Sequence, residues 1–246
     1  MIKVGIADFG LNEWYGAMHD YEWRLKMLKE AGYDGIERLE APNADSLVRT
    51  NALATKMGMG FATCRGTNHA DTLAFTAALG KKYIWVQSMS RDFDTFCRQA
   101  QHQAEVAAEY GVKVGVHNHL GMTVETQAQL EEFLKRCPDC GIVFDIGHLA
   151  GAGGDSVYIA EKYFDRLLTV HFKDYVIKDE GNPNWQSRLR FCELGAGVMG
   201  DIPKKVAEVL LKNNYDGWVM VEHDTHLQDP QIDLKISRDY LKNCGI

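Results

Sequence analysis

The histidines of this sequence gather just after segments that have the pattern of β-strands. In residues 112–117 valines alternate with other residues, so His117 and then His119 share the strand face opposite the valines. A histidine pair at the tip of a buried strand is costly unless a site uses it. Of the nine histidines only His19 and His102 do not follow a predicted strand end. The other seven are His69, His117, His119, His148, His171, His223 and His226.

Four consecutive predicted strands, the fifth to the eighth, each end in a histidine or a carboxylate. The polar residues at or just beyond these ends are His117, His119, Asp145, His148, His171, Lys173, Asp174, Glu222, His223, Asp224 and His226. Two imidazoles and two carboxylates that leave room for water or substrate suit Mn²⁺, Co²⁺, Fe²⁺ or Zn²⁺, whereas Mg²⁺ prefers oxygen ligands. If these strand ends converge, the sequence predicts a shared metal or catalytic site.

The sequence motifs of several other kinds of catalytic site are not found in this chain. The HNH segment at 117–119 does not have the HExxH spacing of a zinc protease, and there is no GxSxG nucleophile elbow. No cysteine follows a predicted strand with a clear base beside it, so nucleophilic hydrolysis has little support. The segment GAGGD at 151–155 lacks the GxGxxG pattern and gives little support to a phosphate loop.

Strand-like and helix-like segments alternate along the whole chain, and no linker-like tract divides it. The predicted strands cover residues 2–7, 34–39, 59–64, 83–88, 112–117, 141–146, 167–172 and 217–222. Helical signals follow each strand; for example, apolar residues recur at helical spacing over 92–111, and Asp229 with Pro230 is a helix start. Eight such units in about 250 residues predict an α/β protein, a (β/α)8 TIM barrel with a single domain over residues 1–246.

An open, doubly wound sheet is the alternative that has the same alternation. It predicts a glycine-rich loop after an early strand, but ADFGLNEW follows the first strand here. In a barrel, the carboxyl ends of the strands converge on one face, and chemistry is built there. That face would also receive Glu37 and Glu40 from the second strand, Arg65 from the third and Gln87 from the fourth.

Composition restricts the partners and the compartment. The 246 residues carry a net charge of −7 and are 46% hydrophobic; this acidic balance argues against a nucleic-acid partner. No apolar run is long enough to cross a membrane, and the first residues lack a signal-peptide core. Four of the six cysteines are isolated, as in reduced cytoplasmic proteins, and Cys137 and Cys140 are expected to form a turn. A homo-oligomer is compatible with a barrel of this size, but no interface can be read.

Four segments together resemble a known family. They are HNHLGMTVET (117–126), VFDIGHLAGAGGD (143–155), VHFKD (170–174) and GWVMVEHD (217–224). These segments are similar to the xylose isomerase-like TIM barrels of the sugar phosphate isomerase/epimerase superfamily. Within that group the nearest pattern is that of the inosose dehydratases, and the likeness is less specific in the first half of the chain.

The resemblance implies a divalent ion held at the ends of strands five to eight. Carried over motif by motif, the metal ligands are His117, Asp145, His171 and Glu222. Mn²⁺ or Co²⁺ is the first choice of ion, with Mg²⁺, Fe²⁺ or Zn²⁺ as alternatives. His148 matches a histidine that contacts substrate, and Lys173 lies beside the pocket in the dehydratase-like members.

We expect a metal-dependent dehydratase that acts on a keto-sugar or keto-cyclitol. The reaction would remove the proton next to the carbonyl and expel a β-hydroxyl. Glu222 would be the base, and Lys173 or His148 would supply a proton. The expected substrate-binding residues are His119, Glu37, His148 and Lys173. Glu37 could instead form a barrel salt bridge, and Lys173 could pair with Asp174 at the surface.

Other functions are weighed against this one. A ketose or sugar-phosphate isomerase or 3-epimerase is the main alternative, but ketose epimerases carry a glutamate where this chain has His117. An endonuclease IV-like nuclease and a non-catalytic sugar-binding subunit are further readings. Inosose dehydratases are also somewhat longer, so we expect shorter loops over the pocket. His69, His223 and His226 are expected to be loop residues.

Overall fold

Eight parallel strands form a barrel in the computed structural model, which describes residues 1–16 and 20–246. His19 lies outside the described residues. The barrel strands are β1 (Lys3–Ala7), β2 (Gly35–Glu40), β3 (Gly60–Arg65), β4 (Tyr83–Trp85), β5 (Lys113–His117), β6 (Gly141–Asp145), β7 (Leu167–Phe172) and β10 (Trp218–Glu222). A separate hairpin contains β8 (Asp174–Ile177) and β9 (Leu189–Cys192). The predicted (β/α)8 barrel is therefore confirmed.

Helices surround the barrel. They are α1 (Phe9–Tyr15), α2 (Tyr21–Ala31), α3 (Ala44–Met57), α4 (His69–Ala78), α5 (Phe93–Ala108), α6 (Gln127–Arg136), α7 (Ile146–Gly151), α8 (Ser156–Lys162), α9 (Trp185–Arg188), α10 (Ile202–Lys212) and α11 (Pro230–Asn243), with a 3-10 turn at Phe164–Arg166. The helix start predicted at Asp229 is confirmed, because its carboxylate accepts a hydrogen bond from the Gln231 backbone N–H at 2.9 Å. None of the helices among the described residues is both long and apolar enough to cross a membrane.

The strands follow the order β3-β2-β1-β10-β7-β6-β5-β4, and each neighbouring pair is parallel. The two ends of this order, β3 and β4, meet through a side chain: the Thr63 hydroxyl donates to the Tyr83 carbonyl oxygen at 2.5 Å. Both residues are buried. A buried threonine therefore joins the edges of the sheet at the point where the barrel closes.

The structure differs from the sequence-based expectation at three places. The fourth strand ends at Trp85, so Gln87 lies beyond it, and the hairpin of β8 and β9 was not expected. His69 is the first residue of α4 and not a loop residue, because the Asn68 side chain caps that helix by accepting from the Asp71 backbone N–H at 2.9 Å. The sequence did not predict this helix start, because the polar residues that precede it are of types that are also common in turns.

Asp174 anchors the hairpin. Its buried carboxylate accepts hydrogen bonds from the backbone N–H groups of Gly195, Gly197 and Met199 at 3.0–3.2 Å. A Cβ on Gly197 would lie 2.0 Å from an Asp174 oxygen, so only glycine permits this approach. Lys173 is also fully buried, and the alternative of a surface Lys173–Asp174 pair is wrong.

The six cysteines are free thiols. Cys137 and Cys140 follow α6 in a buried turn, where their thiols lie 3.3 Å and 3.5 Å from the carbonyl oxygens of Cys97 and Ala100. The contact with Cys140, and then burial, raise the pKa of Cys137, so its reactive thiolate form is disfavoured. The CxxC spacing therefore belongs to a packed turn, as expected.

The loop after β10 is tied to α11 through buried histidines. Asp233 on α11 accepts from His226 Nδ1 at 2.6 Å, and His223 Nδ1 lies 3.4 Å from the same oxygen. His223 and His226 are loop residues, as expected, but their side chains are buried rather than solvated. Burial alone would raise the pKa of Asp233, but its contacts with the two histidines lower it.

Replacement of Thr63 by valine tests the barrel closure. Thr63→Val keeps the shape but leaves the buried Tyr83 carbonyl without its donor, so we expect a loss of about 1–3 kcal/mol in the free energy of unfolding. Urea unfolding measures this loss. Thr55→Val is the matched control, because Thr55 is exposed on α3 and should change stability by less than about 0.5 kcal/mol. Equal effects of the two substitutions would contradict the assigned role.

Replacement of Asp233 by asparagine tests the histidine contacts of α11. A carboxylate with a lowered pKa stabilises the fold above its unfolded-state pKa of about 3.9, and this stability is lost as the pH falls through the lower folded value. Asp233→Asn should therefore cost about 2 kcal/mol at pH 7, and the difference from wild type should shrink towards pH 3. Asp239→Asn, at an exposed position of α11, should change little. A pH-independent difference would refute this assignment.

Candidate active site

Four side chains from four neighbouring strands meet at the carboxyl end of the barrel. His117, Asp145 and Glu222 are the last residues of β5, β6 and β10, and His171 is the last but one of β7. One nitrogen or oxygen atom from each lies within 4.8 Å of the others. Asp145 Oδ2 is 3.6 Å from His117 Nε2 and 3.8 Å from His171 Nδ1, and Glu222 Oε2 is 2.6 Å from His171 Nδ1. The structure thus brings the four predicted ligands together.

This group of donors fits a divalent cation. His117 Nε2 is buried and forms no hydrogen bond, which is costly unless another partner occupies the space beside it. Asp145 Oδ2 lies 3.6 Å from this nitrogen and has Lys173 Nζ as an ionic neighbour at 3.1 Å. Burial and the nearby His171 lower the pKa of His117, which favours the neutral imidazole that binds metals. Two imidazoles and two carboxylates are the donor set of transition-metal sites rather than of all-oxygen Mg²⁺ sites.

Glu37 holds the ring of His171 from below. Its Oε1 lies 3.2 Å from His171 Nε2 and accepts hydrogen bonds from Tyr83 Oη at 3.1 Å and Trp85 Nε1 at 2.9 Å. Burial alone would lower the pKa of His171, but Glu37 and Glu222 raise it to about 10. Because Glu37 is fully buried, its position favours orientation of His171 over direct contact with a substrate.

Asn118 positions Asp145, which sequence reasoning missed. The Asn118 side chain donates to the Asp145 carbonyl oxygen at 2.8 Å and accepts from the Asp145 backbone N–H at 2.9 Å. Asp145 Oδ1 accepts from the His148 backbone N–H at 2.7 Å, so the other carboxylate oxygen is left to face the centre. The signal in the sequence was the asparagine that stands between the two histidines of the HNH segment.

Lys173 lies fully buried among carboxylates beside the four ligands. Its Nζ is 2.7 Å from His148 Nε2 and 3.1 Å from both Asp224 oxygens and from Asp145 Oδ2. Burial alone would lower the pKa of Lys173, but these carboxylates raise it, so the lysine is charged. A Cβ on Gly147 would lie 2.4 Å from Lys173 Cβ, which explains the glycine in the DIGH motif.

His119 connects this buried group with the cavity. Its Nδ1 contacts the Leu120 carbonyl oxygen at 2.7 Å, and its ring stacks on that of His148 at 3.7 Å between centroids. Burial, and then the neighbouring His148, His117 and Lys173, lower the pKa of His119 to about 3. His119 is therefore neutral and presents its second nitrogen as a hydrogen-bonding group.

A cavity of about 490 Å³ opens above these residues. Six of the side chains that line it are those of Arg38, Trp85, His117, His119, Glu222 and Asp224. The hairpin contributes Trp185, whose ring lies 5.4 Å from that of His119. The volume suits a small molecule such as a sugar. Lys173 and His148 are fully buried behind this lining, and they reach it through Asp224 and His119.

Asp224 is a second residue whose role the sequence reasoning missed. It lies two residues beyond Glu222, lines the cavity, and contacts both Lys173 and His148. The sequence signal for Asp224 was its position just after the eighth predicted barrel strand. Glu40 and Arg65, also expected on this face, form an exposed ion pair at 3.1 Å and do not line this cavity.

Comparisons with known proteins agree with this architecture. Residues 67–244 match the family model described as xylose isomerase-like TIM barrel. An inosose dehydratase of Lactiplantibacillus plantarum is 31% identical over 149 residues, which are 57% of this chain and 48% of that protein. The chain therefore spans about half the length of this relative, and the similarity concerns that part only.

Solved structures share the fold over nearly the whole chain. A probable 3-DHS dehydratase from Bacillus anthracis matches with a TM-score of 0.70 at 16% identity, over 99% of both chains. A 3-keto-D-glucoside 4-epimerase from E. coli matches with a TM-score of 0.71 at 17% identity, over 99% of this chain and 100% of that chain. Together with the family match over residues 67–244, these observations show that the chain belongs to the xylose isomerase-like TIM barrel family.

Proposed function

We propose that this protein is a divalent-metal-dependent dehydratase that acts on a keto-sugar or keto-cyclitol, with the barrel over residues 1–246 as one domain. The convergence of His117, Asp145, His171 and Glu222 on a common point carries the proposal. The inosose dehydratase relative supports elimination as the reaction and a keto-cyclitol as the substrate class.

His117, Asp145, His171 and Glu222 would hold the ion, and the donor set favours Mn²⁺ or Co²⁺. A bound divalent ion supplies Lewis-acid stabilisation of negative charge on the carbonyl oxygen of the substrate. Glu37 would keep the His171 ring in the orientation that points Nδ1 at the ion, and Asn118 would do the same for Asp145.

Glu222 is our candidate for the base that takes the proton next to the carbonyl. It lines the cavity, and its contacts with His171 and Lys173 both involve Oε2. Although burial would raise the pKa of Glu222, Lys173 and His171 hold it well below its usual range, so the carboxylate is ionised. The second oxygen can therefore accept a proton from a substrate carbon.

The charged Lys173 is the candidate source of the proton for the departing hydroxyl. Lys173 is itself buried, so the proton would reach the cavity through Asp224, which lines the cavity and whose two oxygens both lie 3.1 Å from Lys173 Nζ. In the balanced step, the α-proton goes to Glu222, the carbon–oxygen bond at the β position breaks, and the hydroxyl leaves as water. The ketone becomes an unsaturated ketone.

Metal analysis of ligand variants tests the ion. Wild-type protein should bind one Mn²⁺ or Co²⁺ per chain in calorimetry, and His171→Ala or Glu222→Ala should abolish binding. Glu37→Gln removes only the group that orients His171 and should weaken binding by about 10–100-fold. His102→Ala, at an exposed position, is the control and should bind normally.

If wild-type protein carries no divalent ion near stoichiometry and ignores chelator, the metal assignment is wrong. Binding that survives His171→Ala with unchanged affinity would have the same consequence. A variant that loses binding counts as evidence only if its thermal unfolding matches that of wild type.

The reaction type is tested by its products. Incubation with keto-cyclitols, ketoses and 3-keto-glucosides in the presence of Mn²⁺ should yield a product lighter by one water, with ultraviolet absorbance from an enone or diketone. Solvent deuterium should enter recovered substrate in wild type, and Glu222→Gln should suppress both signals. Deuterium exchange with an isomeric product of unchanged mass would identify an isomerase or epimerase and refute elimination.

A further inference from the structure

Arg38 of β2 faces the cavity without an acidic partner. Its guanidinium carbon lies 4.2 Å from the ring centroid of Trp85, which is a cation–π contact. Its Nε is buried and forms no hydrogen bond. Within residues 1–16 and 20–246, no carboxylate forms an ion pair with it, whereas Arg65 on the next strand pairs with Glu40 at 3.1 Å. A guanidinium left in this state lacks the partner that such groups normally have.

Arg38 and Trp85 also line a second cavity. This cavity has a volume of about 590 Å³ and lies over β3 and β4, and its lining includes Arg65, His69 and Gln87. The first cavity contains the candidate metal ligands His117 and Glu222. The Arg38–Trp85 pair is therefore the boundary that the two spaces share, and a ligand at the metal centre can extend towards it.

The two cavities differ in charge. The first is lined by three carboxylates, those of Glu13, Glu222 and Asp224, and by two arginines, Arg38 and Arg190. The second is lined by two arginines and, among the described residues, by no carboxylate; Arg65 is paired with Glu40, so Arg38 is the arginine without an acidic partner. A concave surface with cationic groups of one sign concentrates anions. The guanidinium of Arg38 presents planar donors that match a carboxylate or a phosphate, and Trp85 holds this plane in place.

We infer that the keto-sugar or keto-cyclitol substrate carries an oxyanion, a carboxylate or a phosphate, which Arg38 binds at the boundary of the two cavities. The inference rests on the proposed function only in one respect, namely that the bound molecule is a substrate. Anion binding at Arg38 needs no metal, so it can be measured separately.

Anion titration of the metal-free full chain tests this inference. Calorimetry at constant ionic strength uses inorganic phosphate and acetate as probes, one for each oxyanion class. Wild type should bind at least one of them, and Arg38→Gln should weaken that binding by at least about tenfold, the size expected for a hydrogen bond between charged groups. Arg38→Lys keeps the charge but not the paired donors, and it should bind with intermediate affinity.

Arg49→Gln makes the same change of charge at an exposed helix position, where Arg49 pairs with Asp45, and should bind as wild type does. Preference for phosphate would indicate a phosphate ester, and preference for acetate a carboxylate. No binding to wild type, or equal binding to Arg38→Gln, would overturn the inference. Thermal unfolding verifies that each variant is folded.

The same preparations separate this inference from the proposed function. Arg38-dependent anion binding in a protein that takes up no Mn²⁺ would support the anion site and refute the metal site. Normal Mn²⁺ uptake with anion binding that ignores Arg38 would refute only the anion site.

Discussion

The carboxyl end of the barrel depends on the mutual compensation of buried charges. Three carboxylates, those of Glu37, Asp145 and Glu222, are buried beside the charged Lys173 and the imidazole of His171. A buried charge is strongly unfavourable by itself, and removal of one partner leaves the others uncompensated. The group therefore persists only as a whole, and this requires β2, β6, β7 and β10 to end at the same level.

This constraint explains why groups that touch no cavity are nevertheless necessary. Glu37 orients His171 from below, and Asn118 fixes the backbone of Asp145. Each of them fixes its neighbour so that one ligand atom, Nδ1 of His171 or Oδ2 of Asp145, is directed at the common centre. Several buried nitrogen and oxygen atoms of this site form no hydrogen bond, and the surrounding side chains determine their positions.

The hairpin that follows β7 gives the pocket its upper wall. Asp174 fixes the base of this hairpin through backbone hydrogen bonds, and Trp185 packs against His119. Lys173 is placed by the same short segment, since it directly precedes Asp174. The residues VHFKD thus combine a candidate metal ligand, a buried cation and an anchor for the wall within a few positions, so the same segment sets both the shape and the charge of the pocket.

The sequence by itself determined the barrel and the grouping of its polar strand ends. Strand period and helix starts are local properties, so the eight strands and the face with His117, Asp145, His171 and Glu222 could be predicted. The early end of β4 and the helix at His69 could not, because strand and helix ends depend on packing and on caps that resemble turns.

Only the tertiary structure decided which polar residues act together. Lys173 and Asp174 look like an ordinary surface pair in sequence, yet one lies among the carboxylates of β6 and β10 and the other holds a hairpin. Asp224 ends the GWVMVEHD segment, but no sequence pattern assigned it, or Arg38, a role in the site. Their partners come from strands and loops far apart in the chain, and such contacts exist only after the barrel closes.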